Sequence, residues 1–151
     1  MHRFASIAAA LAALAISGCS SPTEGIPGDA ADDAPFAAIG ANETVRFTGT
    51  EPFWGGQVVG TALTYSTPED PDGTDIVVTR FAGRGGLSWS GTYDGARFVL
   101  AVTPGECSDG MSDRTYPFVA TLEVKGEQRS GCAWTETRSF TTPDGADSPV
   151  P

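Results

Sequence analysis

The residues best suited to chemistry are concentrated in one stretch, GECSDGMSDRTYPF, at positions 105–118. This stretch holds one cysteine, three acidic residues, an arginine, a methionine and two aromatic residues. Such a composition is compatible with a catalytic site, a metal-binding loop, a recognition loop or a structural turn. Each of these uses requires particular partners elsewhere in the chain, and those partners can be sought in the sequence.

The sequence offers few residues that could act in catalysis together with this stretch. A catalytic thiol at Cys107 would need a basic neighbour to lower its pKa, but the only histidine is His2, at the N-terminus. Acid–base chemistry would fall to carboxylates, and the one pairing to consider is Glu51 with Asp109, as in a glycosidase-like hydrolase. No motif sets two carboxylates beside a nucleophile, and neither a zinc ligand set nor a phosphate-binding glycine loop is present. The residue types available for catalysis therefore favour a protein that is not an enzyme and uses no cofactor.

Metal binding also lacks the right spacing. Calcium could be ligated by Glu106, Asp109 and Asp113, but these residues do not follow the EF-hand pattern of alternating acids with a distal glutamate. A second acidic segment, PEDPDGTD at positions 68–75, is predicted to be a surface turn because Pro, Asp and Gly are turn formers. We therefore predict no metal site.

The N-terminus indicates export. Residues 4–16 form an apolar run that is too short to span a bilayer, which takes about 20 residues, and suits a signal peptide. The run ends in ISGC at positions 16–19, which resembles the lipobox of bacterial lipoproteins. The resemblance implies that residues 1–18 are a lipoprotein signal peptide and that Cys19 is the acylated first residue of the mature chain. Because Ser20 rather than aspartate follows, it further implies an anchor in the outer membrane, facing the periplasm; the alternative is ordinary secretion.

Lipidation of Cys19 would leave Cys107 and Cys132 as one pair. An oxidising periplasm would join that pair as a disulfide. Closing a loop of about 25 residues stabilises a fold by roughly 3 kcal/mol in the chain-entropy model. Cys107 is therefore predicted to be a structural staple and not a nucleophile.

The rest of the chain divides into a linker, one domain and a tail. Residues 19–42 are rich in Pro, Gly, Ala and Asp without periodicity, which predicts a lipidated disordered linker, and residues 141–151 are predicted to be a disordered tail. Residues 43–140 have the size of one domain. Their short alternating apolar segments, with turn signals such as Asp94-Gly95 and Lys125-Gly126, predict an all-β fold. We expect a small antiparallel barrel or sandwich of seven or eight strands.

Two motifs resemble a family. GTEPFW at positions 49–54 and CSDGMSDRTYP at 107–117 are together similar to an uncharacterised family of bacterial envelope lipoproteins. Its members pair GxEPFW with a later CxDGMSDxxYP and often a GC, here at 131–132. The resemblance covers most of residues 43–134 and implies a small β-domain in the envelope. It also implies a place near the membrane-bound inhibitors of c-type lysozyme and a heat-shock (META-type) lipoprotein domain.

The first motif has two interpretations. Pro52 has no N–H to donate to a ladder, so it should end one strand, with Phe53 and Trp54 beginning the next. Phe53 or Trp54 would then fill one end of the barrel, and the Glu51 carboxylate would accept hydrogen bonds from backbone amides. In the alternative, Glu51, Phe53 and Trp54 contribute to a ligand mouth.

The second motif also has two interpretations. It can be a structural loop pinned by Cys107, with Asp109 and Asp113 capping nearby amides and the loop ending at Tyr116 and Pro117. Alternatively it is a recognition loop, in which Met111 supplies an adaptable contact and Arg114 a directional one. The candidate binding residues in this loop are Asp109, Met111, Asp113, Arg114 and Tyr116.

The charge of the protein narrows the partner class. Loss of Arg3 with the leader leaves a formal charge of about −11, which repels nucleic acid and attracts cationic partners. The sequence therefore predicts a lipid-anchored, non-catalytic binding domain, with a cationic cell-wall hydrolase such as lysozyme as the candidate partner. One alternative is a lipocalin-like binder of a small apolar envelope ligand, and another is a carboxylate-based hydrolase. An apolar cavity would favour the small ligand, whereas a filled barrel with a projecting loop would favour the protein partner.

Overall fold

The computed structural model describes residues 34–143, which form β-strands, turns and loops. The strands are all paired in antiparallel fashion. The predicted all-β class is confirmed. Within the described part of the chain, no helix of the length and apolarity needed to cross a membrane is found. In chain order, the strands are β1 Val45–Thr50, β2 Phe53–Val59, β3 Ala62–Thr67, β4 Asp70–Val77, β5 Thr79–Ala82, β6 Leu87–Tyr93, β7 Ala96–Ser108, β8 Thr115–Val124 and β9 Glu127–Thr135.

The nine strands form one sheet in the order β4-β3-β2-β1-β9-β8-β7-β6-β5. Its two edge strands, β4 and β5, are consecutive in the chain and separated only by Val78, whose N–H donates to the carbonyl of Thr61 at 2.9 Å. Strand β4 also contacts β6. A Cβ on Gly91 of β6 would lie only 2.7 Å from the carbonyl oxygen of Val77, so this glycine permits the close approach. The sheet therefore curls into a nearly closed barrel, one of the two expected architectures.

Residues 34–143 form nine strands, one more than the upper number of the predicted seven or eight. The additional strand arises because the apolar segment TDIVVTRFAG, residues 74–83, is divided between the end of β4 and β5. Val78 lies at the division with its side chain buried. At Val78 the chain passes from one edge strand of the sheet to the other. The local pattern of apolar residues carries no information about where the two edges of a sheet meet.

The acidic segment at positions 68–75 is mostly strand, which corrects the prediction of a surface turn. Only Pro68 and Glu69 form the turn, and β4 begins at Asp70. Pro71 lies within this strand. Proline is tolerated because β4 is an edge strand, where a residue without an N–H need not leave a neighbouring strand unpaired.

Side chains fill the interior of the barrel. In β8 every second residue is buried, and the register with β7 sets Val124 opposite Phe98 and Leu122 opposite Leu100. This alternation follows from the two-residue period of a strand. We call the buried interior set the barrel core; its members are Ile39, Val45, Phe47, Trp54, Val58, Leu63, Tyr65, Ile76, Val78, Leu87, Trp89, Phe98, Leu100, Val102, Phe118, Ala120, Leu122, Val124 and Ala133.

The two predicted hairpin turns are present. Asp94 and Gly95 both have positive φ, 50° and 75°, and Lys125 and Gly126 have φ of 52° and 80°. Positive φ at both central residues is typical of the type I′ turn, whose twist matches that of the flanking strands. Glycine is suited to the second position of each turn because it adopts positive φ without steric cost.

The folded region begins before residue 43, within the segment predicted to be a disordered linker. Ile39 is 1% exposed and belongs to the barrel core. The N–H of Phe36 donates to the carbonyl of Gly83 at 2.7 Å, and the Arg80 guanidinium donates to the carbonyl of Ile39 at 3.2 Å. Ile39 and the partly buried Phe36 both pack on the core, but two apolar residues in a Pro- and Gly-rich stretch form no periodic pattern, so the sequence could not indicate them.

At the other end, Thr141 pairs with Thr115 through two backbone hydrogen bonds of 2.9 Å, so the first residue of the predicted tail contacts the domain. The predicted signal peptide, Cys19 with the first part of the linker, and residues 144–151 of the tail lie outside the described residues.

Candidate functional site

The second motif forms a loop, residues 109–114, between β7 and β8, and it ends two residues earlier than predicted because Tyr116 and Pro117 already belong to β8. Just before the loop, Cys107 of β7 forms a disulfide with Cys132 of β9, with a Cα–Cα distance of 5.6 Å. The predicted disulfide is confirmed, and this distance lies within the range for unstrained pairs. The ladder between β7 and β8 shifts register between Pro104 and Cys107. This irregularity directs the end of β7 toward β9, although β8 lies between them in the sheet.

A second, smaller apolar cluster surrounds the disulfide. Cys132 and Trp134 alternate along β9 with Ala133, which belongs to the barrel core, so their side chains point to the opposite face of the strand. The rings of Tyr116, Trp134 and Phe140 contact one another with centroids 5.4–5.9 Å apart. We call this set the disulfide cluster; its members are Cys107, Tyr116, Cys132, Trp134 and Phe140.

Asp109 organises the loop from within. Its carboxylate accepts hydrogen bonds from the N–H groups of Met111 and Ser112 at 3.0 and 2.8 Å. It also accepts from the hydroxyls of Ser112 and Tyr116 at 2.8 and 3.0 Å. Partial burial alone would raise the pKa of Asp109, but these hydrogen bonds outweigh it and lower the pKa to about 2. The prediction that Asp109 caps nearby amides is correct, whereas Asp113 accepts no hydrogen bond within residues 34–143.

The two motifs meet in the folded chain. Thr50, the last residue of β1, donates its hydroxyl to the backbone carbonyl of Asp109 at 3.0 Å. The β1–β2 turn, Glu51 and Pro52, therefore lies beside the 109–114 loop. Pro52 separates two strands, as predicted, and its peptide bond with Glu51 is cis. Thr50 belongs to GTEPFW, but no local pattern in the sequence indicates its contact with Asp109, which is 59 residues away.

Trp54 lies against two glycines. A Cβ on Gly49 would lie 2.1 Å from Nε1 of Trp54, and one on Gly131 would lie 2.9 Å from its Cζ2. A Cβ on Gly131 would also lie 2.2 Å from the backbone carbonyl oxygen of Thr48. Gly49 therefore makes room for the indole of Trp54, and Gly131 makes room for both that indole and the backbone of β1.

Two of the predicted contact residues are buried. Trp54 is 3% exposed and Tyr116 is 2% exposed, so neither can contact a partner directly, which corrects their assignment as binding residues. Trp54 fills the barrel, and Tyr116 supports Asp109. Burial raises the pKa of the Tyr116 phenol, which keeps its hydroxyl protonated as the donor to Asp109.

The remaining predicted residues lie at the surface. Met111 is 69% exposed, and Glu51 and Asp113 are also exposed. Glu51 accepts no hydrogen bond within the described residues, so the expectation that it accepts backbone amides is wrong. Arg114 lies over the ring of Phe140, 4.3 Å from its centroid, and this cation–π contact attaches the end of the loop to the disulfide cluster.

Phe53 belongs to a different feature, an open cavity of about 550 Å³ at one end of the barrel. Here Arg129 donates to the hydroxyl of Tyr65 at 3.0 Å and pairs with Glu127 at 2.8 Å. Tyr65 and Arg129 are 64 positions apart, and no sequence signal connects them. We call this feature the barrel mouth; its lining residues are Pro52, Phe53, Tyr65, Thr67, Pro68, Glu69, Tyr93, Val124, Lys125, Glu127 and Arg129.

The acidic residues of the loop do not converge. Among residues 34–143, no group of three or more His, Cys, Asp or Glu side chains is placed to hold a metal ion. In the loop, the Asp109 carboxylate binds the protein's own amides and hydroxyls, and Asp113 points to solvent. The arrangement can therefore present an ordered surface more readily than it can ligate an ion.

Comparison with known proteins adds no relative. No family model, no curated protein and no solved structure matches this chain.

Proposed function

We propose that this protein is a lipid-anchored, non-catalytic binding domain of the cell envelope that captures a cationic protein through the 109–114 loop. A cell-wall hydrolase such as lysozyme is the first partner to test. The observation that carries the proposal is an ordered loop with an exposed tip: Asp109, the disulfide and Thr50 hold its base, while Met111 is exposed. An ordered loop loses little conformational entropy on binding, so more of the contact energy appears as affinity.

The chemistry of the loop surface suits a cationic partner. Glu51 and Asp113 are exposed carboxylates on the two segments that the Thr50–Asp109 hydrogen bond joins. The cation of the loop, Arg114, is stacked on Phe140. Met111 adds a flexible apolar group that adapts to an irregular surface. The chain as a whole carries a formal charge of −10, which would accelerate the approach of a cationic protein.

The filled barrel argues against a small apolar ligand inside it. Trp54, Trp89 and Phe98 are among the buried residues of its interior. The open space at the barrel mouth is lined by charged as well as aromatic side chains, whereas a lipocalin-like site needs a mainly apolar cavity.

A carboxylate hydrolase has less support than a binding domain. Asp109, one member of the only pair that the sequence suggested, accepts four hydrogen bonds and has a lowered pKa. A general acid needs the reverse, a pKa raised toward neutrality. We therefore assign Asp109 a structural role.

The proposed anchor is a lipid on Cys19, the cysteine of the segment that resembles a lipobox. This lipid would hold the protein in the outer membrane, facing the periplasm. Cys19→Ala should prevent palmitate labelling and either leave the precursor unprocessed or release the domain from the membrane fraction. Labelling that persists in this variant would contradict the anchor, without bearing on the loop.

Capture can be tested with the full chain against c-type lysozyme, with cytochrome c as a cationic protein that lacks cell-wall activity. Binding should weaken as salt is raised, since charge attraction is screened. The double variant Met111→Ala with Asp113→Asn should weaken it by about tenfold or more, as expected when a central contact is removed. Phe81→Ala is the matched control, because Phe81 is an exposed apolar residue, 66% accessible, on the distant strand β5.

Equal binding of lysozyme and cytochrome c would reduce the proposal to nonspecific charge attraction. If the loop variant and the Phe81→Ala control bind lysozyme alike, the loop is not the contact surface. Failure to bind any of a panel of cationic cell-wall hydrolases would reject this partner class.

A further inference from the structure

The barrel mouth is a second feature with the properties of a binding site, and the 109–114 loop does not account for it. Its volume, about 550 Å³, lies within the range of small-molecule sites. Phe53, the first residue of β2, is 52% exposed at its rim. Tyr93 stands across the opening, with its ring edge-on to Tyr65 at 5.2 Å. The mouth therefore offers aromatic surface to a ligand.

The charges of the mouth exclude two ligand classes. Arg129 pairs with Glu127 at 2.8 Å, and Lys125 pairs with Asp94 at 2.6 Å. Because each of these cations already has a carboxylate and Glu69 adds another negative charge, the mouth has no excess positive charge to attract an anion. A wholly apolar ligand would have to desolvate these charged groups, which is costly.

Unused hydrogen-bonding groups remain at the same place. The Lys125 ammonium carries three donor hydrogens and its side chain is 53% exposed, so the ion pair with Asp94 leaves at least one donor for a ligand. The Glu69 carboxylate is exposed and accepts no hydrogen bond in the described part of the chain. The mouth thus provides at least one donor and one acceptor for a ligand, beside aromatic rings.

We propose that the barrel mouth binds a neutral saccharide. A sugar ring has an apolar C–H face that can pack on the exposed ring of Phe53, and hydroxyls around its edge that both donate and accept. Those hydroxyls would accept from Lys125 and donate to Glu69. The apolar face of a sugar complements the aromatic surface of the mouth, and its neutral hydroxyls complement the donors and acceptors there. An anion or a hydrocarbon lacks one of these two properties.

This saccharide site is independent of the proposed capture of a cationic protein. The two surfaces flank the β1–β2 turn: Thr50 bonds to the loop on one side, and Pro52 and Phe53 line the mouth on the other. The loop variant Met111→Ala with Asp113→Asn should therefore leave saccharide binding unchanged, so the failure of one proposal can be distinguished from the failure of the other.

The test uses the full chain and three neutral tetrasaccharides as probes, namely cellotetraose, chitotetraose and maltotetraose, observed by saturation-transfer NMR and titration calorimetry. A galacturonate tetramer is the anionic probe and lauryl alcohol the apolar probe. At least one neutral saccharide should bind with a Kd of about 1 mM or tighter, in the range of weak specific sites. Phe53→Ala should weaken this binding by about tenfold through lost ring contact, and Phe81→Ala, an exposed phenylalanine outside the mouth, should not.

Several outcomes would overturn the saccharide site. These are preferential binding of the galacturonate or of the alcohol, no binding of any neutral probe at about 10 mM, and saccharide binding that survives Phe53→Ala. If Phe53→Ala does not fold, as judged by thermal unfolding, Lys125→Met and Glu69→Ala decide instead. Each removes one hydrogen-bonding group and should weaken binding about threefold to tenfold, and unchanged affinity in both variants would reject the site.

Discussion

The barrel core and the disulfide cluster are built by different means. The core is made of alternating apolar residues from nearly every strand, so each side chain is held by neighbours from several directions. The disulfide cluster has five members, one covalent bond and a polar network centred on Asp109. Apolar burial grows with the number of strands that contribute to it, whereas a small cluster depends on a few specific bonds. The loop that we propose for protein capture therefore adjoins the region that is held by individual bonds.

This difference predicts that the two regions unfold separately when the smaller one is weakened. Regions with few buried contacts open locally at lower free energy than a core does. Four substitutions or conditions, taken from the largest expected effect to the smallest, test how separate the two regions are.

The largest effect should come from the barrel core. Phe118 is fully buried, and Phe118→Ala should lower the free energy of unfolding by about 3–5 kcal/mol, through lost burial and the cavity left behind. Phe140→Ala, in the disulfide cluster, should cost roughly half as much because its ring has partners on fewer sides. Denaturant unfolding of both variants measures the contrast. Equal losses would show that the two regions form one cooperative unit.

Removal of the disulfide should have the next largest effect. The double variant Cys107→Ala with Cys132→Ala should lose about 2–4 kcal/mol of stability. Amide hydrogen exchange should accelerate most at Met111 and Ser112, and much less at Leu122 in the barrel core. Chemical reduction of the unmodified chain is the control and should reproduce this pattern. Uniform acceleration across the protein would contradict a local role for the disulfide.

A smaller effect is expected where the two regions adjoin. Gly49→Ala places a methyl group against Trp54 and against the carbonyl of Ser130, and should cost about 1–3 kcal/mol through overpacking. Gly85→Ala is the matched control, because a Cβ there meets no atom within 4 Å and the backbone conformation suits other residues. It should be neutral or slightly stabilising. Similar thermal unfolding of the two variants would reject the proposed role of Gly49 in seating Trp54.

The smallest effect concerns Asp109 and pH. Its folded pKa, about 2, lies below the ordinary 3.8, so its contribution is fully present above pH 3.8 and is lost as pH falls toward 2. Allowing for solvent screening, that contribution is about 1 kcal/mol. Exchange of the Met111 and Ser112 amides at pH 2.5–5 should show loosening of the loop at the acid end. Asp109→Asn should remove this dependence, and Asp113→Asn, at an exposed carboxylate, should leave it intact.

Much of the barrel was predictable from the sequence because its causes are local. The alternation in β8 and the turns at Asp94-Gly95 and Lys125-Gly126 follow from the period of a strand and from the backbone preferences of the turn residues. The position of Pro52 at a strand boundary follows from its missing N–H. The disulfide followed from pairing the two cysteines that remain once Cys19 is assigned to lipid.

The candidate sites were less predictable because they combine distant residues. Glu51 and Met111 were named as candidate binding residues from the motifs and are exposed, but burial removed Trp54 and Tyr116 from the same list. The segment at 68–75 was misassigned because an edge strand accepts the same Pro, Asp and Gly residues as a turn. Ile39 was missed because one buried residue in a linker-like stretch forms no pattern.

By itself, the sequence determined the all-β class, the two hairpin turns, the strand boundary at Pro52 and the pairing of Cys107 with Cys132. Only the tertiary structure decided that the sheet closes at Val78, that Thr50 bonds to Asp109, and that Tyr65 and Arg129 share the barrel mouth. The preference of a segment for a turn or a strand depends on interactions among residues that are close in the sequence. The contacts of Thr50 and of Tyr65, by contrast, join positions 59 and 64 residues apart, and these are set by sheet register and barrel closure, which depend on the packing of all strands together.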